Sequence, residues 1–163
     1  MANYETLVEK DLPNKKLHVI REFKGTVERV WAAWTQAELL DQWWAPRPWK
    51  TVTQSMNFKV GGVWLYYMQG PEGERHYCRV DFTAVDEGKS FSAISNFCDE
   101  NGVVTPGFPK MYWNNAFSAT EGGSKVDVKL SFDDQASLEQ ILQMGFEGGF
   151  KMGLSNLDEL LAS

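Results

Sequence analysis

The feature of this sequence that most constrains its fold is a change in hydrophobic periodicity at Lys50. From Lys50 to Asp133 apolar and polar residues alternate with a period of two, which is typical of half-buried β-strands. Turn signals rich in glycine or acidic residues interrupt the alternation at residues 61–62, 70–73, 86–88, 99–109 and 121–123. The pattern therefore predicts six consecutive strands with short connections, which favour an antiparallel meander.

Two short helices are predicted before this run of strands. Residues 16–24 alternate as a first strand, and Thr26 can cap the helix that follows it. Thr35 and Glu38 have the spacing of a capping box at the start of a second short helix, which ends before Pro46.

One long helix is predicted near the C-terminal end. Ser137 opens a capping box, and no proline interrupts the segment from there to about Leu161. Its roughly 24 residues would span about 36 Å, which is enough to cross a whole sheet. The expected class is α+β with the order β-α-α-β-β-β-β-β-β-α, in which a curved seven-stranded antiparallel sheet wraps on the long C-terminal helix.

A chain of 163 residues has the size of one domain, which we place at residues 15–163 after a flexible polar leader at residues 1–14. The formal charge is −6 and the basic residues are scattered, so no nucleic-acid partner is expected. The longest stretch without a charged residue has twelve residues, too few for membrane insertion. Since the first residues lack the apolar core of a secretion signal, we expect a cytoplasmic location.

Three glycines of the predicted long helix, Gly145, Gly148 and Gly149, fall in one sector of its buried face at 100° per residue. Each lowers helix stability by about 1 kcal/mol relative to alanine, so the cluster needs a physical reason. One interpretation is a close approach of the helix to the sheet. The other is a void in which a ligand binds, and the sequence leaves both open.

His76, Cys78 and Cys98 have the chemistry of metal ligands. A hairpin register with His76 opposite Cys98 would bring the three together, whereas the alternative register places Cys78 opposite Phe97. The second register collects apolar side chains on one face, so we expect two ordinary thiols and no metal. No nucleophile motif or phosphate-binding glycine motif is present in the sequence, so neither a catalytic residue nor a cofactor is predicted.

Six short segments carry a further signal through their order and spacing. They are VERVWAAWT (27–35), AELLDQWWAP (37–46), FKVGGVW (58–64), MQGPEG (68–73), MGFEGGF (144–150) and LDEL (157–160). Together they resemble the family of activator of heat-shock-protein-90 ATPase homologues, which belongs to the START-like (SRPBCC) superfamily. The resemblance covers about residues 16–162 and implies the helix-grip fold, with a cavity between sheet and long helix that takes lipids, polyketides or other apolar molecules.

The resemblance and the glycine sector together predict a protein that binds a small apolar or aromatic ligand (lipid-, polyketide- or hormone-like) as a monomer or homodimer. The expected ligand-binding residues are Trp64, Tyr66, Phe82, Phe97, Trp113, Phe117, Met144, Gly148 and Met152. One alternative is a co-chaperone-like interaction module that stimulates a chaperone ATPase through the outer face of residues 63–68. A less favoured alternative is a cyclase- or hydrolase-type enzyme that uses the cavity.

Overall fold

The alternating segments of the sequence form strands in a computed structural model that describes residues 4–163. The sheet begins with β1 (Leu7–Asp11) and β2 (Lys16–Phe23). The six strands predicted from the later alternation are all present: β3 (Lys50–Met56), β4 (Val63–Gln69), β5 (Arg75–Asp86), β6 (Ser90–Phe97), β7 (Met111–Thr120) and β8 (Gly123–Ser131). They form one antiparallel sheet with the order β1-β2-β8-β7-β6-β5-β4-β3.

Within residues 4–163 the sheet has eight strands, so the expected number of seven is wrong by one. The additional strand, β1, lies within the segment expected to be a flexible leader, and it pairs with β2 from Leu7 opposite Ile20 to Asp11 opposite Lys16. Four of its five residues are exposed. Backbone hydrogen bonds rather than buried side chains therefore hold this edge strand, and its sequence shows no alternation that would predict it.

Two short helices follow β2, namely α1 (Val27–Thr35) and α2 (Ala37–Trp43). Thr26 caps α1 as predicted, since its Oγ1 accepts a hydrogen bond from the backbone N–H of Arg29 at 3.2 Å. The capping box at Thr35 is wrong. Its hydroxyl donates to the carbonyl of Trp31 at 2.8 Å within α1, and α2 begins after Gln36.

The C-terminal segment forms two helices, α3 (Gln135–Gln143) and α4 (Phe146–Ala162), where one long helix was predicted. Gly145 separates them in the left-handed conformation with φ of +89°, which a residue with a Cβ rarely adopts. The cap of α3 is Asp134 instead of Ser137, because Asp134 Oδ1 accepts the Ser137 N–H at 2.7 Å. None of the helices in residues 4–163 is long and apolar enough to cross a membrane.

The core lies between the inner face of the curved sheet and the helices. Helix α4 packs closely on the end of α2, where a Cβ at Gly153 would lie 3.1 Å from the carbonyl oxygen of Trp44. Asn156 Nδ2 adds a hydrogen bond to the carbonyl of Ala45 at 3.0 Å. At its C-terminal end α4 is tied to β2 by the ion pair of Asp158 with Arg21. These contacts position α4 across the inner face of the sheet.

Candidate ligand-binding cavity

A cavity of about 440 Å³ lies between the sheet and the helices. Its sheet wall is largely aromatic and is built by inward-facing residues of β4 to β7. The main members are Trp64, Tyr66, Phe82, Phe91, Phe97 and Trp113. Every second residue of a strand points to the same face of the sheet. Aromatic residues at those positions of neighbouring strands therefore lie side by side and form the wall.

The helices form the opposite wall, through residues of α1 to α4 and the segment after α2. Its main members are Trp34, Leu40, Trp44, Ile141, Gly149 and Phe150. A Cβ at Gly149 would lie 3.7 Å from Cγ of Pro46, an ordinary contact distance. A longer side chain at Gly149 would therefore continue into the cavity. The interpretation that a missing side chain leaves space on the cavity wall therefore fits Gly149. Gly145 has a different role, because its backbone adopts the left-handed conformation.

The cavity opens to solvent beside His76 and Met144, two lining residues that are also exposed. Met144 follows α3 and is 50% exposed, and His76 lies on β5. The ring of Trp49 covers the His76 imidazole, with ring centroids 5.0 Å apart. Exposed lining residues therefore lie at the junction of α3 with α4 and near the first residues of β5.

The polar groups of the lining are electrically neutral or lie at the opening. Among the lining residues, all within the described part of the chain, there is no Asp, Glu, Lys or Arg. Trp44 Nε1 donates to the Tyr66 hydroxyl at 2.9 Å, and Trp113 Nε1 donates to Ser95 Oγ at 2.9 Å. Burial raises the pKa of the Cys78 thiol to about 12 and raises the pKa of the Tyr66 phenol well above its ordinary value.

Six of the nine residues predicted from the sequence line this cavity. They are Trp64, Tyr66, Phe82, Phe97, Trp113 and Met144. The strand from residue 63 to residue 68, whose facing the sequence left open, turns Trp64, Tyr66 and Met68 inward. Trp64, Tyr66 and Trp113 belong to one aromatic cluster. The rings of Trp64 and Tyr66 stack with centroids 4.1 Å apart, and the ring of Trp44 contacts those of both Trp64 and Trp113.

The structure places the other three predicted residues elsewhere. Phe117 is buried in the core, where its ring lies 5.1 Å from that of Trp31. Gly148 is exposed and a Cβ there would meet nothing within 4 Å, while Met152 is 44% exposed. The predicted positions of Gly148 and Met152 assume one continuous helix from Ser137 to about Leu161. The left-handed residue Gly145 breaks that continuity, so residues beyond it face other directions than predicted.

Sequence reasoning missed several lining residues, including Trp34, Trp44, Phe150 and Asn115. Trp44 is the C-cap of α2 in helical conformation, and its N–H bonds to the carbonyl of Leu40, so the helical period places it on the same face as Leu40. Asn115 had a detectable signal, because it is a polar residue at an inward position of β7 between Trp113 and Phe117. A polar residue among alternating apolar ones marks a candidate site residue in a strand.

The hairpin register separates the residues with metal-ligand chemistry. Cys78 lies opposite Phe97, as the preferred alternative predicted, and His76 lies opposite Met68. The turn between β5 and β6 has three residues, 87–89, which alone would shift the pairing by one residue. A bulge at Thr83 reverses this shift, so Cys78 still pairs with Phe97 and the apolar residues share one face. Across residues 4–163, no group of three His, Cys, Asp or Glu side chains has an arrangement that could hold a metal ion.

The curved antiparallel sheet, the helix packed across it and the cavity between them define a START-like helix-grip protein. The chain belongs to the family described as activator of Hsp90 ATPase homolog 1-like protein, whose family model matches residues 24–162. A comparison with curated proteins finds no match.

Several solved structures are similar over nearly the whole chain. A protein from Mycobacterium smegmatis is 29% identical with a TM-score of 0.88, and the match covers 96% of both chains. A protein from Arthrobacter aurescens is 26% identical with a TM-score of 0.90, covering 96% of this chain and 91% of that chain. A protein from Rhodobacter sphaeroides, at 19% identity and a TM-score of 0.84 over 97% of this chain and 99% of that chain, shares the fold.

Proposed function

We propose that the protein binds a small apolar or aromatic molecule, of lipid-, polyketide- or hormone-like character, without changing it chemically. One observation carries this proposal, namely a cavity of about 440 Å³ with an aromatic wall and no charged side chain among its described lining residues. Small-molecule sites commonly have volumes of about 300–1,000 Å³ and mostly apolar linings. A cytoplasmic location and a monomeric or homodimeric state are part of the proposal.

The chemistry of the lining sets the expected strength of binding. Burying about 250 Å² of apolar ligand surface contributes about 6 kcal/mol, before the entropic cost of binding is subtracted. Stacking against the aromatic wall adds to this contribution. Since 6 kcal/mol corresponds to a Kd of roughly 40 μM before that cost, we expect affinities between tens of micromolar and about 1 mM, and titrations should cover ligand concentrations up to about 1 mM.

The proposal is tested by filling the cavity from the helix side with Gly149→Leu. Since the added side chain continues from a Cβ in contact with Pro46 into the cavity, we expect it to displace the ligand. Titration with the uncharged fluorescent probe N-phenylnaphthylamine should show saturable binding to the wild-type protein. In the Gly149→Leu variant the affinity should fall by about tenfold or more, with an unchanged circular dichroism spectrum.

Gly148→Leu is the matched control, because it makes the same change one residue earlier in the first turn of α4. The Leu side chain would extend into open space at this exposed position, so probe affinity should equal that of the wild-type protein. Equal affinity of all three proteins, or no saturable binding to the wild-type protein, would contradict a ligand site in this cavity.

An interaction module is the alternative that the family name suggests. The surface expected to serve it, the outer face of β4, is largely covered by the chain itself. The side chain of Leu65 lies only 3.2 Å from where a Cβ of Gly102 would be, and the ring of Tyr67 packs against that of Tyr77 at 5.3 Å. This coverage favours the small-molecule proposal. Stimulation of a chaperone ATPase by the Gly149→Leu variant, equal to that by the wild-type protein, would favour the alternative.

An enzyme of the cyclase or hydrolase type would need an ionisable group with a shifted pKa that makes it reactive. In this cavity the pKa values of Cys78 and Tyr66 are raised, which makes both groups less reactive. Burial holds the Cys78 thiol and the Tyr66 phenol in their protonated forms at neutral pH, so neither is an activated nucleophile or base. This chemistry supports binding without catalysis.

A further inference from the structure

Asn115 is a polar residue in the otherwise apolar inner face of β7. Burial alternates along this strand, so that Trp113, Asn115 and Phe117 face inward, and Asn115 is only 2% exposed. It also lines the cavity. Its position between two buried aromatic residues places an amide group against the space in which the ligand is proposed to bind.

The Asn115 carboxamide oxygen has no hydrogen-bond partner among the described residues. The same is true of the indole N–H of Trp34, which is 4% exposed and also lines the cavity. Trp34 packs against Phe117, the next inward-facing residue after Asn115 on β7, with ring centroids 5.8 Å apart. An unpartnered acceptor and an unpartnered donor therefore both belong to side chains that line the cavity.

Two other polar side chains of the lining have partners. The hydroxyls of Tyr66 and Ser95 each accept a hydrogen bond from a tryptophan indole. Buried polar groups are nearly always hydrogen-bonded in folded proteins, because an unpaired one has lost its water without replacement. The two unpartnered groups thus need a partner that this chain does not supply.

A hydroxyl group is the chemical group that fits both requirements, since it donates one hydrogen bond and accepts others. It can donate to the carboxamide oxygen of Asn115, or accept from the amide nitrogen after the side-chain amide turns over. Its oxygen can also accept from the Trp34 indole. A carboxylate or ammonium group fits poorly, because the cavity lining described here offers no opposite charge.

We propose that the ligand is an uncharged, ring-containing alcohol or phenol whose hydroxyl group enters the cavity first and hydrogen-bonds to Asn115, with Trp34 as the second partner. This proposal rests on the proposed function, because it names the chemical class of the molecule that the cavity binds. The apolar body of the ligand would lie against the aromatic sheet wall, towards the opening beside Met144.

The test uses two probes of nearly the same shape, para-phenylphenol and para-methylbiphenyl, which differ in a hydroxyl against a methyl group. Each is titrated against the wild-type protein in competition with N-phenylnaphthylamine. We expect para-phenylphenol to bind about tenfold more tightly, because only its hydroxyl satisfies the buried amide. Biphenyl carboxylate, the charged member of the series, should bind more weakly than both.

Asn115→Leu supplies the matched variant, since leucine has a similar size and leaves no buried amide to satisfy. In this variant the order of the two probes should reverse, because an unpaired hydroxyl loses its water on entering an apolar site. The ligand-free variant should be at least as stable as the wild-type protein. If it does not fold, the comparison of the two probes on the wild-type protein still decides the question.

The outcomes separate this inference from the proposed function. Binding of both probes to the wild-type protein with equal affinity, or tighter binding of para-methylbiphenyl, overturns the hydroxyl assignment and leaves a ligand-binding cavity. A preference for para-phenylphenol that persists in Asn115→Leu also overturns the assignment to Asn115. Failure of both probes to displace bound N-phenylnaphthylamine overturns the inference and leaves the proposed function. No saturable binding of N-phenylnaphthylamine itself overturns both.

Discussion

At the scale of single residues, the cavity keeps the Cys78 thiol and the Tyr66 phenol neutral. Burial is the main reason that the pKa of Cys78 rises to about 12, and a hydrogen bond with Tyr66 acts in the opposite direction. Burial and the neighbouring Cys78 raise the pKa of Tyr66, while the hydrogen bond from Trp44 lowers it. The interior is thus suited to uncharged molecules over the whole physiological pH range.

Cys78 is therefore expected to react slowly with iodoacetamide, because only the thiolate is nucleophilic and a raised pKa leaves little of it. At about pH 8 its rate should be about a thousandfold below that of a free cysteine, and it should still be rising at pH 10 to 11. Peptide mass spectrometry after timed alkylation measures both. A rate equal to that of a free cysteine would contradict the description of Cys78.

At the scale of elements, the break between α3 and α4 decides which side chains of the C-terminal segment face the sheet. The N–H of Gly145 bonds to the carbonyl of Leu142 at 3.1 Å, and its own carbonyl accepts the Gly149 N–H at 3.0 Å. One residue thus ends α3 and begins α4. Its φ of +89° explains why glycine is required there, and the two-helix arrangement brings Gly149 and Phe150 onto the cavity wall.

Alanine substitutions at two neighbouring glycines should have opposite effects on stability. Gly145→Ala should lower the free energy of unfolding by about 1 kcal/mol, because a Cβ disfavours the left-handed conformation. Gly148→Ala should raise it by about 0.5 kcal/mol, since Gly148 is helical and a Cβ there meets nothing. Urea denaturation measures both values. Shifts in the same direction would argue against a left-handed break at Gly145.

At the scale of the whole molecule, α4 is fastened to the sheet near both of its ends. Near its start, Glu147 pairs with Lys10 of β1 at 2.6 Å and with Lys151 at 2.9 Å. Near its other end, Asp158 pairs with Arg21 of β2, whose side chain is only 8% exposed. The edge strand β1 and the core strand β2 therefore both help to hold the helix that closes the cavity.

Asp158→Ala should lower the free energy of unfolding by about 2 kcal/mol, because it leaves the buried Arg21 charge without its carboxylate partner. The value is below that for fully buried pairs, since the Asp158 side chain is 40% exposed. Glu159→Ala is the neighbouring control. Its pair with Arg47 is exposed on both sides, so a change below about 0.5 kcal/mol is expected.

Thermal and urea unfolding of the two variants measure the difference. Equal stability of the Asp158 and Glu159 variants would show that the Arg21 pair contributes no more than a surface pair, and that packing alone holds α4 on the sheet.

The amino-acid sequence by itself determined the run of six strands, the short helices before it and the inward face of β5 to β7. These features follow from local causes, namely the alternation of apolar residues, turn residues and helix caps. Phe82, Phe97 and Trp113 could be predicted for the same reason, because a residue at an inward position of a strand stays on that face once the register is set.

Tertiary structure alone decided the remaining features. Strand β1 forms because the edge of β2 offers backbone hydrogen bonds, which no side-chain pattern records. The faces of α4 depend on the backbone at Gly145, so Gly149 lines the cavity where Gly148 was predicted. The amide oxygen of Asn115 is buried without a hydrogen-bond partner only because the helices and the sheet pack together around it. Contacts between distant segments, rather than local propensity, thus determine the shape and chemistry of the cavity.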